Sequence, residues 1–269
     1  MKENTDRLND KRMEYYNFLY KKSKKWDGKQ DLSNKKIIIY CEQGYGDIVQ
    51  MFRYVDYLKN NYENAFIILH CPKELGILFA KIKNPVDKII HKNEEKLPAH
   101  DYHVLSFSLP FLLKDFKDKY PYIKFDEKNK DVVNFSKNKK IGIAWEGNKV
   151  EGIPLKYFKS LEKIGDLFVL QKSINDKNLL QGADNINLQG VQINDFIDTA
   201  RLINSMDIVV SVDTCILHLA GALNKKTYGL LNKEYDERWN VKKWYDSVTL
   251  LRVDNDWQKV FKEIEIKLN

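Results

Sequence analysis

Residues 207–222 read DIVVSVDTCILHLAGA, and the fold class follows from how that stretch changes character halfway along. Ile208 to Val212 is an apolar, largely β-branched run broken only by Ser211, the pattern of a parallel strand covered on both faces. Asp213 ends the strand, and Thr214 with Cys215 opens a helix. The small residues Ala220, Gly221 and Ala222 let that helix approach the sheet closely. Strand, tight turn, helix is the repeating step of an α/β fold with a parallel sheet.

The same step recurs on either side. Residues 35–41 (KKIIIYC) predict a buried strand, followed by the turn EQGYGD and a helix over 48–60. Strands at 65–71, 86–91 and 103–107 and a helix at 74–82 complete a first β/α run. Residues 126–139 are polar and charged and read as a linker. A second run follows, with strands at 140–145, 167–172, 185–188, 207–213, 226–231 and 247–253. Its helices fall at 155–163, 195–204, 214–223 and 257–268. The reading is therefore an N-terminal basic helical segment over 1–34, one Rossmann-like domain over 35–132 and a second over 133–269. The segment 3–26 is expected to be one charged helix, and the closing helix to pack back on the N-terminal domain.

With 269 residues, the chain has room for two domains of about 130 residues each. Charged residues make up 31% and the mean hydropathy is −0.53, which fits a globular protein and excludes disordered and collagen-like classes. No apolar run approaches the roughly 18 residues a membrane span needs, and the first residues carry no signal-peptide pattern. The three cysteines, Cys41, Cys71 and Cys215, form no C-x-x-C pair, so neither a disulfide framework nor a zinc site is expected. Of the net charge of +7, five units sit in residues 1–36, leaving the rest nearly neutral. A basic segment of this kind is a solvated helix face or a contact for an anionic surface or nucleic acid.

Four places carry candidate chemistry. In the turn Gly44-Tyr45-Gly46-Asp47, glycines let backbone amides approach a ligand. Asp47 is either a helix cap or a carboxylate at the ligand edge of the sheet, placed for general-base work. Arg53, one of six arginines, either binds an anion or sits on the surface. Asn148 follows the strand 140–145 in a second small-residue turn. Lys172 ends another strand, where an ammonium group can hold a phosphate. Finally, the helix start at Thr214 offers unpaired amides and the positive end of a dipole, with His218 on the same face. A capped helix with a satisfied histidine is the plainer reading of that last stretch.

The run SVDTCILHLAGALNKKTYGLL resembles the S-V-D-T-x-x-x-H-L-A-G-A-L-G-K-P segment of family 9 glycosyltransferases, the heptosyltransferase-like enzymes. EQGYGDIVQMFRYVDYL, IGIAWEGN followed by IPLKYF, FIDTARLINSMDIVVSVDT, and the tail from DERWN to DWQKVFKEI resemble further segments of that family in the same order. The branch often joined to tetratricopeptide repeats is the nearest in pattern, although one N-terminal helix is too little for such an array. The resemblance implies a GT-B architecture, two Rossmann-like domains facing a cleft, the first binding acceptor and the second a nucleotide-sugar donor. It implies inverting transfer with no metal and no cofactor beyond the nucleotide-sugar co-substrate. Asp47 then falls at the catalytic base. Asp213, Thr214, Cys215 and His218 fall at the donor phosphate and sugar, and Asn148, Lys172 and Asp195 around the nucleotide. Gly44, Tyr45, Gly46 and Arg53 fall on the acceptor side. Cys215, Lys226 and Glu146 depart from the family pattern.

The sequence thus predicts a glycosyltransferase acting on a glycan, lipid-linked glycan or protein hydroxyl, in the cytoplasm or at the inner face of the membrane. Two other readings stand beside it. One is a catalytically inactive nucleotide- or glycan-binding module; the other is a sugar transferase acting on nucleic acid.

Overall fold

The computed structural model describes residues 19, 23–92, 96–113, 120–125, 138–147, 152–172, 176–183, 186, 188–189, 192–241, 243–253 and 256–268. Backbone contacts divide the chain into two units, residues 1–122 and 123–269. The expected boundary at 132/133 and the linker residues 126–137 lie outside the described residues.

The first unit contains β1 (Lys24–Lys25), β2 (Lys36–Tyr40), α1 (Tyr45–Met51), α2 (Arg53–Asn61), β3 (Phe66–Cys71), α3 (Lys73–Lys81), β4 (Lys88–His91), β5 (Tyr102–Leu105) and α4 (Leu109–Leu112). Its sheet is parallel throughout, in the order β1-β5-β2-β3-β4. β2 lies at the centre because KIIIY is apolar on both faces: Ile37, Ile38 and Ile39 are buried.

The second unit contains β6 (Lys140–Ala144), a 3₁₀ segment Leu155–Lys163, β7 (Asp166–Val169), β8 (Leu188–Gln189), α5 (Phe196–Ser205) and β9 (Ile208–Val212). It continues with α6 (Cys215–Ala222), β10 (Thr227–Leu231), α7 (Arg238–Val241), β11 (Val248–Arg252) and α8 (Trp257–Leu268). Its parallel strands run β11-β10-β9-β6-β7-β8. In chain order within the unit this is 3-2-1-4-5-6, the doubly wound Rossmann order. The first unit's β4-β3-β2-β5 is the same order cut short. Each sheet therefore has a switch point, between β2 and β5 in one and between β6 and β9 in the other. Ligands of such sheets bind beyond the carboxyl ends of the strands at that point.

Several elements differ from expectation. The helix expected over 48–60 is two helices meeting at Phe52. Arg53 Nε donates to the Gln50 carbonyl at 2.8 Å, and a side chain entering the carbonyl ladder is a known cause of such breaks. Residues 155–163 form 3₁₀ turns because Leu155, Phe158 and Leu161 are buried at a spacing of three. The helix expected over 3–26 does not extend to its end: Lys24 and Lys25 pair with Tyr102 and His103 as an edge strand. Trp26, fully buried, continues that strand by donating its backbone N–H to His103 O at 2.8 Å. The earlier part of that helix, save residue 19, and residues 20–22 lie outside the described residues. The closing helix α8 lays an apolar face on the core of its own unit. Val260, Phe261, Ile264 and Leu268 pack into the second unit's core with Tyr157, Phe158 and Leu161. Phe158 and Phe261 meet edge to face with centroids 4.7 Å apart.

Candidate functional site

At the first unit's switch point, Cys41, Glu42 and Gln43 follow the end of β2. Gln43 adopts φ +71°, a left-handed conformation that a side chain disfavours, and turns the chain sharply into α1. Gly44 caps α1, and Asp47 Oδ2 accepts its N–H at 2.8 Å. The capping half of the Asp47 reading is therefore real, and a half-buried carboxylate stands at the ligand edge of the sheet. Tyr45, between the two glycines, is 39% exposed, a large aromatic ring presented to solvent at that edge.

Arg53 is not on the surface. It is 3% exposed and donates to Tyr120 Oη at 2.7 Å, with its guanidinium 4.9 Å from the Tyr122 ring centroid. Tyr122 Oη in turn donates to Val49 O at 3.1 Å. The arginine braces the exit of the first unit against the helices.

At the second switch point, Thr214 caps α6: its Oγ1 accepts the Ile216 N–H at 3.2 Å. Asp213 Oδ2 accepts from Trp239 Nε1 at 2.7 Å, and Oδ1 lies 3.6 Å from His218 Nε2. His218 Nδ1 lies 2.8 Å from Tyr245 Oη, and the imidazole stacks on Trp239 with centroids 5.4 Å apart. Burial pushes the Asp213 carboxyl up, but His218, Trp239 and Arg238 together hold it below the usual aspartate value. Gly221 is required by this packing, since a Cβ there would stand 2.4 Å from the Tyr245 ring. The structure thus brings Asp213, Thr214, Cys215 and His218 together around one helix start.

The remaining expected residues are placed differently. Asp195 caps α5, accepting from Ile197 N at 2.8 Å and Asp198 N at 3.0 Å. Lys172 is exposed and donates to Asn194 O at 2.8 Å, so it reaches the loop before α5. Asn148 lies outside the described residues. Cys41 and Cys71 are buried, and burial raises both thiols, Cys71 to about 12, which leaves them inert at neutral pH.

Sequence reasoning missed Glu42, Glu146, Trp239 and Tyr245. Glu42, 1% exposed, accepts from Ser106 Oγ at 2.8 Å and Phe107 N at 3.1 Å. Glu146, 8% exposed, accepts from Gln171 Nε2 at 3.0 Å and Asp176 N at 3.1 Å. The signal was present, because KIIIYCE and KIGIAWE place both glutamates six residues after the strand-opening lysine. Asp256 Oδ1 accepts from Lys259 N at 3.1 Å at the start of α8. Among the described residues no group of three or more His, Cys, Asp or Glu side chains is arranged to hold a metal ion. No helix among them is long and apolar enough to cross a membrane.

Comparison with known proteins agrees with this geometry. Residues 182–268 match the family model for glycosyltransferase family 9 (heptosyltransferase). The fold is similar to that of Escherichia coli ADP-heptose lipopolysaccharide heptosyltransferase II, with TM-score 0.64 and 13% identity over 87% of this chain and 98% of that one. It is similar to E. coli heptosyltransferase WaaC, solved with ADP-2-deoxy-2-fluoro heptose, with TM-score 0.62 and 10% identity over 86% and 99%. It is also similar to the dodecameric iron-containing glycosyltransferase TibC of enterotoxigenic E. coli, with TM-score 0.61 and 11% identity over 84% and 64%. No curated protein matches the chain by sequence. The α/β class with Rossmann-like units of the GT-B type is borne out, as is the resemblance to family 9. The stretch that resembles glycosyltransferases by sequence, residues 182–268, includes the helix start at Thr214.

Proposed function

We propose that this chain is an inverting, metal-independent glycosyltransferase that takes its sugar from a nucleotide-diphosphate donor. The observation that carries the reading is the helix start at the second switch point, where Asp213, Thr214 and His218 converge within the stretch matched by the family 9 model. The positive end of α6 suits the diphosphate, and the ionised Asp213 suits hydroxyl groups of the donor. Because structures similar to this one were solved with ADP-2-deoxy-2-fluoro heptose and with ADP-D-beta-D-heptose, ADP-heptose is the first donor to test.

In the proposed step, Asp47 takes the proton of the acceptor hydroxyl. The acceptor oxygen forms a bond to the anomeric carbon as the bond from that carbon to the diphosphate oxygen breaks. The electron pair leaves with the diphosphate, whose charge is met by helix amides and lysines. The acceptor is a glycan, lipid-linked glycan or protein hydroxyl, and the cytoplasm is the proposed compartment.

The cap formed by Asp47 favours one second reading, a module that binds the donor without turning it over. Release of nucleoside diphosphate from ADP-, UDP- and GDP-sugars, measured beside donor binding by calorimetry, separates the two. Binding with turnover abolished in Asp47→Asn supports transfer. Binding with no turnover by the wild-type chain supports the module, and no binding of any donor overturns both.

A further inference from the structure

Glu42 is a buried carboxylate to which the proposed reaction assigns no role, and its position is unusual. It leaves the end of β2 and spans the switch point to β5, accepting from Ser106 Oγ at 2.8 Å and Phe107 N at 3.1 Å. Ser106 is 2% exposed and Phe107 is half-buried. The next residue, Gln43, holds the left-handed conformation that aims the chain into Gly44 and Asp47. Such a conformation persists only where its surroundings over-determine it. On the far side of the turn, Asp47 Oδ2 holds the Gly44 N–H at 2.8 Å. The turn is therefore clamped at both ends, by Glu42 to the neighbouring strand and by Asp47 to its own helix. Glu146 is used otherwise: it reaches Gln171 and Asp176 beyond β7, away from the switch point.

We infer that Glu42 is a positioning residue for glycosyl transfer, its buried carboxylate fixing the Gln43–Asp47 turn by tying the end of β2 to the Ser106–Phe107 segment. The inference rests on the transfer reading for its kinetic consequence but not for its structural one. It acts through hydrogen bonds and not through charge. An amide replaces it well: the Gln carbonyl accepts from Phe107 N, and its NH₂ donates to the Ser106 hydroxyl oxygen. A methyl group does not.

The experiment compares Glu42→Ala, Glu42→Gln and Ser106→Ala in the full chain, with amide hydrogen exchange and ADP-heptose turnover to ADP as readouts. Exchange of amides 43–48 accelerates in Glu42→Ala and Ser106→Ala and stays near wild type in Glu42→Gln, while the second unit's amides are unchanged. With ADP-heptose, kcat falls by at least about tenfold in Glu42→Ala, the donor KM is unchanged, and Glu42→Gln recovers to within about threefold. If Glu42→Ala does not fold, Ser106→Ala carries both readouts. Unchanged exchange at 43–48 in the folded variants overturns the inference whatever the activity. So does an equal loss in Glu42→Gln and Glu42→Ala, which assigns the role to charge. Absence of ADP-heptose turnover by the wild-type chain counts against that donor in the transfer reading and leaves the exchange result to decide the positioning role.

Discussion

Trp239 Nε1 donates a 2.7 Å hydrogen bond to Asp213 Oδ2, so the carboxylate that ends β9 is fixed by an indole 26 residues further along the chain. The other oxygen faces His218, whose ring lies against the same indole. Trp239→Phe keeps the stacking surface and deletes only the donor. It is expected to lower stability at pH 7 by about 1–3 kcal/mol, the scale for a hydrogen bond to a buried charged group. Asp213 is held below its ordinary value, so it contributes stability above the unfolded pKa and loses it as pH falls through the folded one. The difference between Trp239→Phe and wild type is therefore greatest near neutrality and shrinks below about pH 4. Urea denaturation across pH measures it, and a constant difference down to pH 3 refutes it.

Substitution separates the cap that Asp47 forms from the base that it is proposed to be. Asp47→Asn retains an oxygen for the Gly44 N–H but is no base, so its melting temperature stays near wild type while turnover falls by at least about a hundredfold. Asp47→Ala removes the cap as well and costs about 1 kcal/mol of stability. Full activity in Asp47→Asn, measured with the donor that turns over, leaves the residue a cap alone.

The alternation of strands and helices was legible because each strand is a short apolar run bounded by turn residues. The helix start at Thr214 was legible because Asp213, Thr214 and His218 sit within six residues of one another. What supports them was not. Trp239 and Tyr245 reach Asp213 and His218 from 26 and 27 residues away, and no local pattern announces a contact of that kind. The burial of Arg53 was not legible because Tyr120 and Tyr122, which enclose it, lie 67 and 69 residues further along the chain. Asp195 satisfies the helix-cap rule as well as it fits a nucleotide contact, and the structure places its oxygen on the cap.

Gly221 tests the packing behind the site. A Cβ there meets Tyr245 Cδ1 at 2.4 Å, and the ring must move away from His218 Nδ1, now 2.8 Å from its hydroxyl. Gly221→Ala is expected to cost about 1–3 kcal/mol, the usual cost of overpacking, although alanine favours helix. Pairing it with Tyr245→Phe distinguishes crowding from lost hydrogen bonding. The phenylalanine alone keeps the ring and removes only the hydroxyl, so it is the milder change in a thermal melt. A neutral or stabilising Gly221→Ala contradicts the close approach.

Acid stability turns on two histidines of the first unit. His70 and His103 are buried on either side of Tyr40, with ring centroids 5.3 Å and 6.1 Å from the tyrosine's. Burial, with Lys92 nearby, lowers His70 to about 4; burial, with His100 and Lys25 nearby, lowers His103 to about 4. Both are neutral in the folded protein at pH 7. As pH falls below about 6.5 the unfolded chain takes up these protons and the folded chain does not, so stability declines until the folded values are reached near pH 4. Each histidine contributes up to about 3 kcal/mol to that decline. His70→Phe keeps a flat ring against Tyr40 and removes one titrating group, so its stability is expected to fall less than wild type between pH 6.5 and 4. Chemical denaturation at fixed pH steps gives the two slopes. Parallel curves for variant and wild type across that window show that His70 takes up its proton as readily in the fold as in the unfolded chain, and the lowering by burial is then excluded.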